Sequence, residues 1–301
     1  MKAEVQKIQL PILEQKSISL QIKREDLLYP ALSGNKYRKL KYNLLSAREQ
    51  GHEQLLTFGG AYSNHIAATA RAGKDNGIKT IGIIRGEELV SAWEQNPTLK
   101  KARQDGMQFK FVSRTTYRER HDPAFHARLR AEFGKYYLLP EGGTNELAIR
   151  GCEEILSDED KEFNVVCCSV GTGGTLAGIV NSSWEHQLIL GFPALAGDFL
   201  NKDIRKFTAG NNWELQQDYH FGGYARVNKE LVLFINNFYS QTKIPLDPVY
   251  TGKMMFGILD LIRKDFFAAH TKILAIHTGG LQGIDGMNTK LKMKNLPLIE
   301  V

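Results

Sequence analysis

Residues 165–180 read VVCCSVGTGGTLAGIV, an apolar run followed by a loop of small residues and an apolar helical pattern. The run Val165–Ser169 predicts a buried strand. Beyond the loop, apolar residues recur at helical spacing at Leu176, Ile179 and Val180. The loop Ser169–Thr175 brings backbone N–H groups, two threonine hydroxyls and a helix N-terminus toward one point. This arrangement is typical of a site that binds a phosphate group.

Two further loops of small residues follow predicted strands. Gly59–His65 opens a helix, and the free N–H groups near Ser63 and Asn64 favour an anion such as a carboxylate. His277–Gly280 follows an apolar strand, at the end of a parallel sheet where ligands gather. None of the loops is diagnostic alone, because the Walker A pattern and the full dinucleotide spacing are both missing.

Short apolar strands alternate with amphipathic helices along the whole chain. The predicted strands are Leu55–Phe58, Lys79–Ile84, Gln108–Val112, Tyr136–Leu139, Val165–Ser169, Leu188–Gly191 and Ile273–Ile276. Asn96 before Pro97, and Asp122 before Pro123, mark helix starts. Such alternation predicts an α/β fold with two open, twisted, mostly parallel sheets flanked by helices.

Composition places only loose limits on function. The chain has 301 residues, a formal net charge of +6, 42% hydrophobic residues and 24% charged residues, which is typical of a soluble globular protein. No long basic tract is present, so we expect no nucleic-acid partner.

The sequence favours the cytoplasm and gives no sign of a metal site. Glu4 and Lys7 interrupt the region where an export signal needs an apolar core, and the longest apolar stretch is too short to span a membrane. The three cysteines show no disulfide or zinc spacing. His121 and His126, the closest pair of histidines, are five residues apart and do not share a helix face.

The stretch Ser33–Tyr42, SGNKYRKLKY, puts four cations into six residues at the start of a predicted helix. Lys36 falls in the first turn, where the positive end of the helix dipole disfavours an ammonium group by about 0.3–1 kcal/mol. The neutral amine escapes that cost, so the position suits a nucleophilic lysine. On this stretch alone, a solvated basic helix is the favoured interpretation.

Together, two anion pockets and an activated lysine are what a pyridoxal-phosphate enzyme acting on an amino acid needs. Four segments resemble the family of 1-aminocyclopropane-1-carboxylate deaminase and D-cysteine desulfhydrase, and they occur in the same order. These are Ser33–Leu40, Gly60–His65, Ser169–Thr175 and Asp247–Lys253. The resemblance implies the fold of fold-type-II pyridoxal-phosphate enzymes, which is similar to tryptophan synthase β. It further implies a large cofactor domain from residues 1–45 and 140–301, and a small substrate domain from residues 46–139.

The resemblance also implies roles for individual residues. Lys36 would bond covalently to pyridoxal 5′-phosphate, while Ser63, Asn64 and His65 would bind the substrate carboxylate. Asn64 would contact the 3-oxygen of the cofactor, and Ser63 would be a candidate nucleophile. The phosphate would be held by Thr172, Gly173, Gly174 and Thr175. Tyr224 and Tyr250 would be active-site tyrosines, and Arg38, Lys39 and Lys41 would form a solvated helix surface.

The reaction depends on the partner of the cofactor's pyridine nitrogen. Ring-opening deaminases of this family carry an acidic residue where this chain has Thr251, and a carboxylate there keeps that nitrogen protonated. Thr251 and Thr278 instead resemble the desulfhydrases. We therefore expect β-elimination from a small amino acid, giving a keto acid and ammonia. Tyr62 departs from the family, which usually has glutamine there beside Ser63, and this departure leaves the shape of the substrate pocket and the substrate open.

Several alternatives remain open at the level of sequence. The chain could be a 1-aminocyclopropane-1-carboxylate deaminase, another fold-type-II enzyme such as a synthase or racemase, or a cofactor-free binding protein. The resemblance implies that the chain forms a homodimer. It also implies that the ligand is a small amino-acid substrate.

Overall fold

The computed structural model describes residues 2–29, 32, 34–197 and 199–301, without the side chain of Phe199. Ser33, the first residue of the basic stretch, lies outside the described residues. The α-helices, in chain order, are α1 Pro11–Gln15, α2 Glu25–Leu28, α3 Asn35–Glu49, α4 Asn64–Asn76, α5 Pro97–Gln104, α6 Arg114–Arg118, α7 Pro123–Phe133, α8 Glu146–Glu153, α9 Gly174–Ser182, α10 Phe199–Arg205, α11 Lys229–Thr242, α12 Thr251–Arg263 and α13 Ile284–Met293.

The strands alternate with these helices. They are β1 Val5–Lys7, β2 Ser19–Lys23, β3 Gln54–Gly59, β4 Lys79–Arg85, β5 Gln108–Val112, β6 Tyr137–Leu139, β7 Val165–Val170, β8 Leu188–Pro193, β9 Trp213–Leu215 and β10 Lys272–Ile276. Every predicted strand is present, with ends that differ by at most two residues. The predicted caps are also present, since Asn96 accepts from the Leu99 N–H and Asp122 from the Ala124 N–H.

Two sheets organise the described part of the chain. The larger has the order β1-β2-β10-β7-β8-β9, with parallel pairing except between β1 and β2, and the smaller has the order β5-β4-β3-β6 and is parallel throughout. The smaller sheet uses residues 54–139 and the larger uses residues on either side. The domain boundaries inferred from sequence stay a prediction.

Strand β7 is buried along its whole length because both of its faces are covered. Cys167 packs with Leu190 and Ile273 on one face, whereas Cys168 packs with Leu176 and Ile276 on the other. The two cysteines lie on opposite faces because adjacent residues of a strand alternate between its faces. The strand therefore has a fixed register, which fixes where the loop after it begins.

The carboxyl ends of strands from both sheets face one cleft. Loops after β3 and β6 of the smaller sheet, and after β7 and β10 of the larger sheet, line it together. Ligands bind at such ends in open α/β sheets because the helix N-termini that follow the strands also point there.

Helix α3 carries the basic stretch, and most of its charge is not solvated. Arg38 is 2% exposed and pairs with the buried Glu25, both guanidinium–carboxylate distances being 2.9 Å. Lys39 is also 2% exposed. Lys41 is a third exposed and bonds to Glu154. The expectation of a solvated surface is therefore wrong for Arg38 and Lys39, because α3 packs between α8 and the cleft rather than against solvent.

Two negative findings apply to the described residues. Within them, no helix is long and apolar enough to cross a membrane. In the same ranges, no three side chains of histidine, cysteine, aspartate or glutamate converge as they would around a metal ion.

Candidate active site

The cleft encloses about 610 Å³, including its open mouth. Most of the residues expected at the site from sequence line it: Lys36, Ser63, Asn64, His65, Thr172, Gly173, Thr175, Tyr224, Tyr250 and Thr278. The fold thus brings together the three small-residue loops and the start of α3. The functional roles assigned to these side chains stay predictions.

Lys36 lies at the start of α3 and points into the cleft. Its Nζ is 3.5 Å from the carbonyl oxygen of Gly142. Burial, followed by the positive charge of Lys39, lowers the pKa of Lys36 from 10.5 to about 7. A large fraction of this lysine is therefore a neutral amine near pH 7, able to attack a carbonyl carbon or accept a proton.

Gly34 makes this placement of Lys36 possible. It has a φ of +59°, and a Cβ there would lie 2.4 Å from the carbonyl oxygen of Thr278. Gly34 is the N-cap of α3, and the side-chain amide of Asn35 donates to the hydroxyl of Thr175. The N-terminus of α3 therefore contacts both the loop after β10, through Gly34, and the loop after β7, through Asn35.

Lys39 is a site residue that our sequence reasoning missed. Its Nζ donates to the carbonyl of Gly142 at 3.2 Å and the hydroxyl of Thr144 at 3.0 Å, and lies 3.5 Å from the hydroxyl of Thr172. All three partners are neutral, and burial lowers the pKa of Lys39. A signal was available, since Lys39 follows Lys36 by three residues and so shares its helix face.

The loop after β7 forms a cradle at the N-terminus of α9. Gly173 caps the helix with a φ of +82°, and a Cβ there would lie 2.5 Å from Ile204. A Cβ on Gly174 would lie 3.2 Å from Lys39 Nζ, which places the ammonium group at the first turn of α9. The helix N-terminus and a buried cation without a carboxylate partner combine to favour an anion such as a phosphate.

The loop after β3 forms the opposite wall. Ser63 is the N-cap of α4 and its hydroxyl accepts from the Ile66 N–H. Asn64 begins the helix, and its side-chain oxygen accepts from Gln282 at 2.8 Å, whereas its NH₂ group donates to none of the described residues. Both residues suit a carboxylate at a helix N-terminus.

His65 is buried beneath that loop rather than presented by it. Its Nε2 lies 2.8 Å from the hydroxyl of Thr57. Burial, then the charges of Lys36 and Lys39, hold the pKa of His65 well below 6.5, so the ring is neutral. A neutral ring attracts a carboxylate only weakly, and the contact expected from sequence would have to be a hydrogen bond.

Tyr224 and Tyr250 face each other at the cleft, with ring centroids 6.2 Å apart in an edge-to-face contact. Tyr250 has a pKa well above 10, primarily because it is buried. Tyr224 is 41% exposed overall, yet desolvation of its hydroxyl also raises its pKa. Both phenols therefore keep their protons at neutral pH and can act as proton donors.

Lys253, the last residue of the family-like segment Asp247–Lys253, holds the loop that carries Tyr224. Lys253 Nζ donates to the carbonyl oxygens of His220 and Gly223, each at 2.8 Å. Burial lowers the pKa of Lys253 to about 8. This lysine positions the tyrosine loop and does not line the cleft.

Of the two threonines expected near the pyridine nitrogen, Thr278 lines the cleft and Thr251 does not. Thr278 lines the cleft, and its hydroxyl is 3.0 Å from that of Ser169. Thr251 is fully buried; its hydroxyl donates to Asp247, which also accepts from the Thr251 backbone N–H. The cleft wall is thus built by Ser169 and Thr278, and a ligand contact by Thr251 stays a prediction.

Tyr62, the residue that departs from the family pattern, turns away from the cleft. Its ring packs against α13, where a Cβ on Gly286 would lie 2.6 Å away, and Lys290 Nζ is 4.2 Å from the ring centroid. Tyr62 is not among the described residues that line the cleft, and an effect of this residue on the substrate pocket stays a prediction.

Comparisons with known proteins agree with this geometry. A family model described as pyridoxal-phosphate dependent enzyme matches residues 5–279. The mitochondrial bifunctional D-cysteine desulfhydrase/1-aminocyclopropane-1-carboxylate deaminase of Arabidopsis thaliana is 33% identical, over 88% of this chain and 73% of that protein. The D-cysteine desulfhydrase of Serratia proteamaculans is 29% identical, over 86% of each. A solved structure described as an ACC deaminase homologue is 28% identical, with a TM-score of 0.84 over 97% of this chain and 94% of that one.

Proposed function

The chain belongs to the pyridoxal-phosphate-dependent enzyme family, and from that premise we propose that it eliminates the β-substituent of a small amino acid. This is the reaction type of a D-cysteine desulfhydrase, and the products are a keto acid and ammonia, with sulfide when the substrate is cysteine. The family, the fold-type-II architecture and the cofactor inferred from the sequence motifs are confirmed by the family match and the structural relative.

The residues of the cleft fit pyridoxal phosphate. Lys39 is a buried cation whose hydrogen-bond partners are neutral oxygens, and it lies at the N-terminus of α9. A phosphate there would supply the missing negative charge and accept from the backbone of Gly173 and Gly174. Lys36, with its pKa near 7, would bond to the carbonyl carbon of the cofactor. When bound, the cofactor draws electrons from the amino acid's α-carbon, most strongly where a carboxylate holds its ring nitrogen protonated.

The remaining chemistry belongs to the chain's own side chains. Ser63 and Asn64 would bind and orient the substrate carboxylate at the N-terminus of α4. The Lys36 amine would accept the proton from the α-carbon, for which a pKa near 7 is well matched. Tyr224 and Tyr250, both protonated at neutral pH, would donate a proton to the leaving group.

One observation carries the choice of elimination: among the described residues that line the cleft, none is a carboxylate. Ser169 and Thr278 offer hydroxyls, which can hydrogen-bond to a ring nitrogen but cannot hold a proton on it. Elimination then has the advantage over ring opening, because a good leaving group at the β-carbon carries the negative charge away.

The test compares products from matched substrates. The purified protein, loaded with cofactor, is offered each enantiomer of cysteine and β-chloroalanine, and separately 1-aminocyclopropane-1-carboxylate. Elimination gives a three-carbon keto acid and ring opening gives a four-carbon one, so mass spectrometry distinguishes them. We expect the three-carbon product at a rate at least tenfold higher. Faster formation of the four-carbon acid would contradict the proposal, and Lys36→Ala supplies the inactive control.

Ring-opening deamination is the second candidate. The observation that favours it is the Arabidopsis thaliana relative, whose name joins both activities and which matches 88% of this chain. Ser63 lies in the cleft at the helix N-terminus and could serve that reaction as a nucleophile. The same product analysis decides between the two.

The cellular setting is also part of the proposal. We propose a cytoplasmic homodimer with a small amino-acid substrate and no nucleic-acid partner. The three cysteines are buried free thiols, which supports a reducing compartment. The dimer rests on the family resemblance alone, and sedimentation equilibrium of the holoenzyme tests it.

A further inference from the structure

Arg85 ends strand β4 beside the loop that carries Ser63. Its side chain is exposed, and one guanidinium nitrogen lies 3.5 Å from the position that a Cβ on Gly60 would occupy. The carbonyl of Gly60 accepts from the Ser63 N–H at 3.0 Å, so Gly60 closes the turn that presents Ser63. Arg85 therefore lies at the rim of the cleft, on the side expected to bind the substrate carboxylate.

No hydrogen bond or ion pair joins Arg85 to any residue in the described ranges. Within the same ranges its one cation–π contact is with the ring of Tyr117, whose centroid is 5.6 Å from the guanidinium carbon. Arg150 is similar, because it is exposed and lies over the ring of Tyr42 at 4.3 Å, but it is on α8, away from the cleft. The position of Arg85, rather than its exposure, is what distinguishes it.

One carboxylate and one further guanidinium group lie near the Tyr117 ring that Arg85 contacts. Tyr117 donates to Glu141 at 2.7 Å, and Arg120 pairs with the same carboxylate. Arg120 also lies over the Tyr117 ring, with 5.4 Å from its guanidinium carbon to the centroid. Arg85 and Arg120 both lie over the Tyr117 ring, and of the two it is Arg120 that pairs with the Glu141 carboxylate. The charge of Arg85 stays available for a ligand.

Arg85 also lies close enough to the cleft to influence a residue in its lining. Burial raises the pKa of Tyr224, and the positive charge of Arg85 partly opposes that rise. Gly142, which directly follows Glu141 in the chain, lines the cleft as well. A side chain that extends outward from a substrate bound at Ser63 would meet the guanidinium group.

We propose that Arg85 binds an anionic group on the substrate's β-substituent, so that the enzyme prefers β-substituted amino acids with a negatively charged substituent. This inference rests on the proposed function and specifies its substrate class. An arginine pairs well with a carboxylate or phosphate because its planar fork can donate two parallel hydrogen bonds.

The reaction of such a substrate is balanced without an added oxidant or reductant. For O-phosphoserine, the α-proton passes to Lys36, the bond between the β-carbon and oxygen breaks, and phosphate leaves with the bonding electron pair. Water then hydrolyses the remaining unsaturated amine to a three-carbon keto acid and ammonium.

The experiment measures binding separately from turnover. Aspartate and asparagine have nearly the same shape, differ in one charge, and carry no good leaving group at the β-carbon. The holoenzyme is titrated calorimetrically at low salt with each enantiomer of aspartate and of asparagine. Aspartate should bind about tenfold more tightly than asparagine. Arg85→Gln should abolish that ratio by weakening aspartate alone, Arg85→Lys should restore part of it, and Arg150→Gln should leave it unchanged.

A turnover comparison separates this inference from the proposed function. In Arg85→Gln, the KM for O-phosphoserine should rise about tenfold while kcat and the kinetics of β-chloroalanine change less than twofold. The holoenzyme could eliminate chloride from β-chloroalanine while neither enantiomer of aspartate binds more tightly than the matching asparagine. That result would contradict the proposed role of Arg85 and leave the proposed function standing. A holoenzyme that eliminates from neither substrate class overturns both.

Discussion

Replacing Lys39 with methionine should raise the pKa of Lys36. The two ammonium nitrogens lie 3.2 and 3.5 Å from the same Gly142 carbonyl oxygen, so they are at most about 7 Å apart. With an effective dielectric constant of about 20, two positive charges at that distance repel by about 2 kcal/mol, which corresponds to about 1.5 in pKa. Removing one charge makes the protonated form of the other easier to keep, so the pKa rises.

The magnitude makes the effect measurable. Lys36 has a pKa of about 7, so about half of it is neutral at pH 7. With a pKa of about 8.5 in Lys39→Met, only about 3% would be neutral, and its labelling at pH 7 should slow about fifteenfold. Above pH 10 the two proteins should react equally fast, because Lys36 is neutral in both.

The assay labels the apoprotein with a small uncharged acetylating reagent across a pH series and follows the Lys36 peptide by mass spectrometry. Lys41→Met is the matched control, since Lys41 is on the same helix but a third exposed and paired with Glu154. In Lys41→Met, the midpoint of Lys36 labelling against pH should stay near 7. The reasoning is refuted if the midpoint for the unmodified protein is near 10, or if it does not move in Lys39→Met.

Three further predictions concern packing and the cofactor site. Glu25→Gln should lower the free energy of unfolding by about 3 kcal/mol in a denaturant titration, because buried Arg38 loses the carboxylate that lies nearest to it; a loss below about 0.5 kcal/mol would contradict this. Thr278→Val should weaken cofactor binding by about tenfold in an equilibrium titration while costing only about 1 kcal/mol of stability, and unchanged affinity would remove Thr278 from the site. Lys253→Met should lower kcat about tenfold at normal cofactor content, because the Tyr224 loop loses its anchor; a normal kcat would show that the anchor is dispensable.

The parts of the fold that the sequence revealed are those built from buried parallel strands. Such strands are nearly continuous apolar runs, so β3, β4, β7 and β10 could be recognised directly. The strands β1, β2 and β9 were not predicted. Two of them have three residues, and β2 mixes polar and apolar residues because one of its neighbours is the short edge strand β1.

The site was predictable where backbone chemistry determines it. A glycine-rich loop before a helix and a serine at an N-cap carry signals in the residues themselves, as at Gly173 and Ser63. Lys39 was misjudged because lysines are usually solvated, and only the packing of α3 shows that this one is buried. A ligand contact by Thr251 stays a prediction, and the hydrogen bond that its hydroxyl donates to Asp247 became apparent only in the structure.

The role of Arg85 could not be inferred from the sequence. An arginine at the end of a strand is an ordinary surface residue until the fold shows which loops it adjoins. Its closeness to Gly60 depends on the parallel pairing of β3 with β4, which brings the carboxyl ends of both strands to the same edge of the sheet.

The central claim is that Lys36 holds the cofactor in this cleft. Borohydride reduction of the holoenzyme, followed by proteolysis and peptide mass spectrometry, tests it directly because reduction makes the lysine–cofactor bond permanent. The account predicts one pyridoxyl mass, on the peptide that contains Lys36, and its disappearance in Lys36→Ala. A reduced cofactor on Lys39, Lys41 or Lys253, or a label that persists in Lys36→Ala, would contradict it.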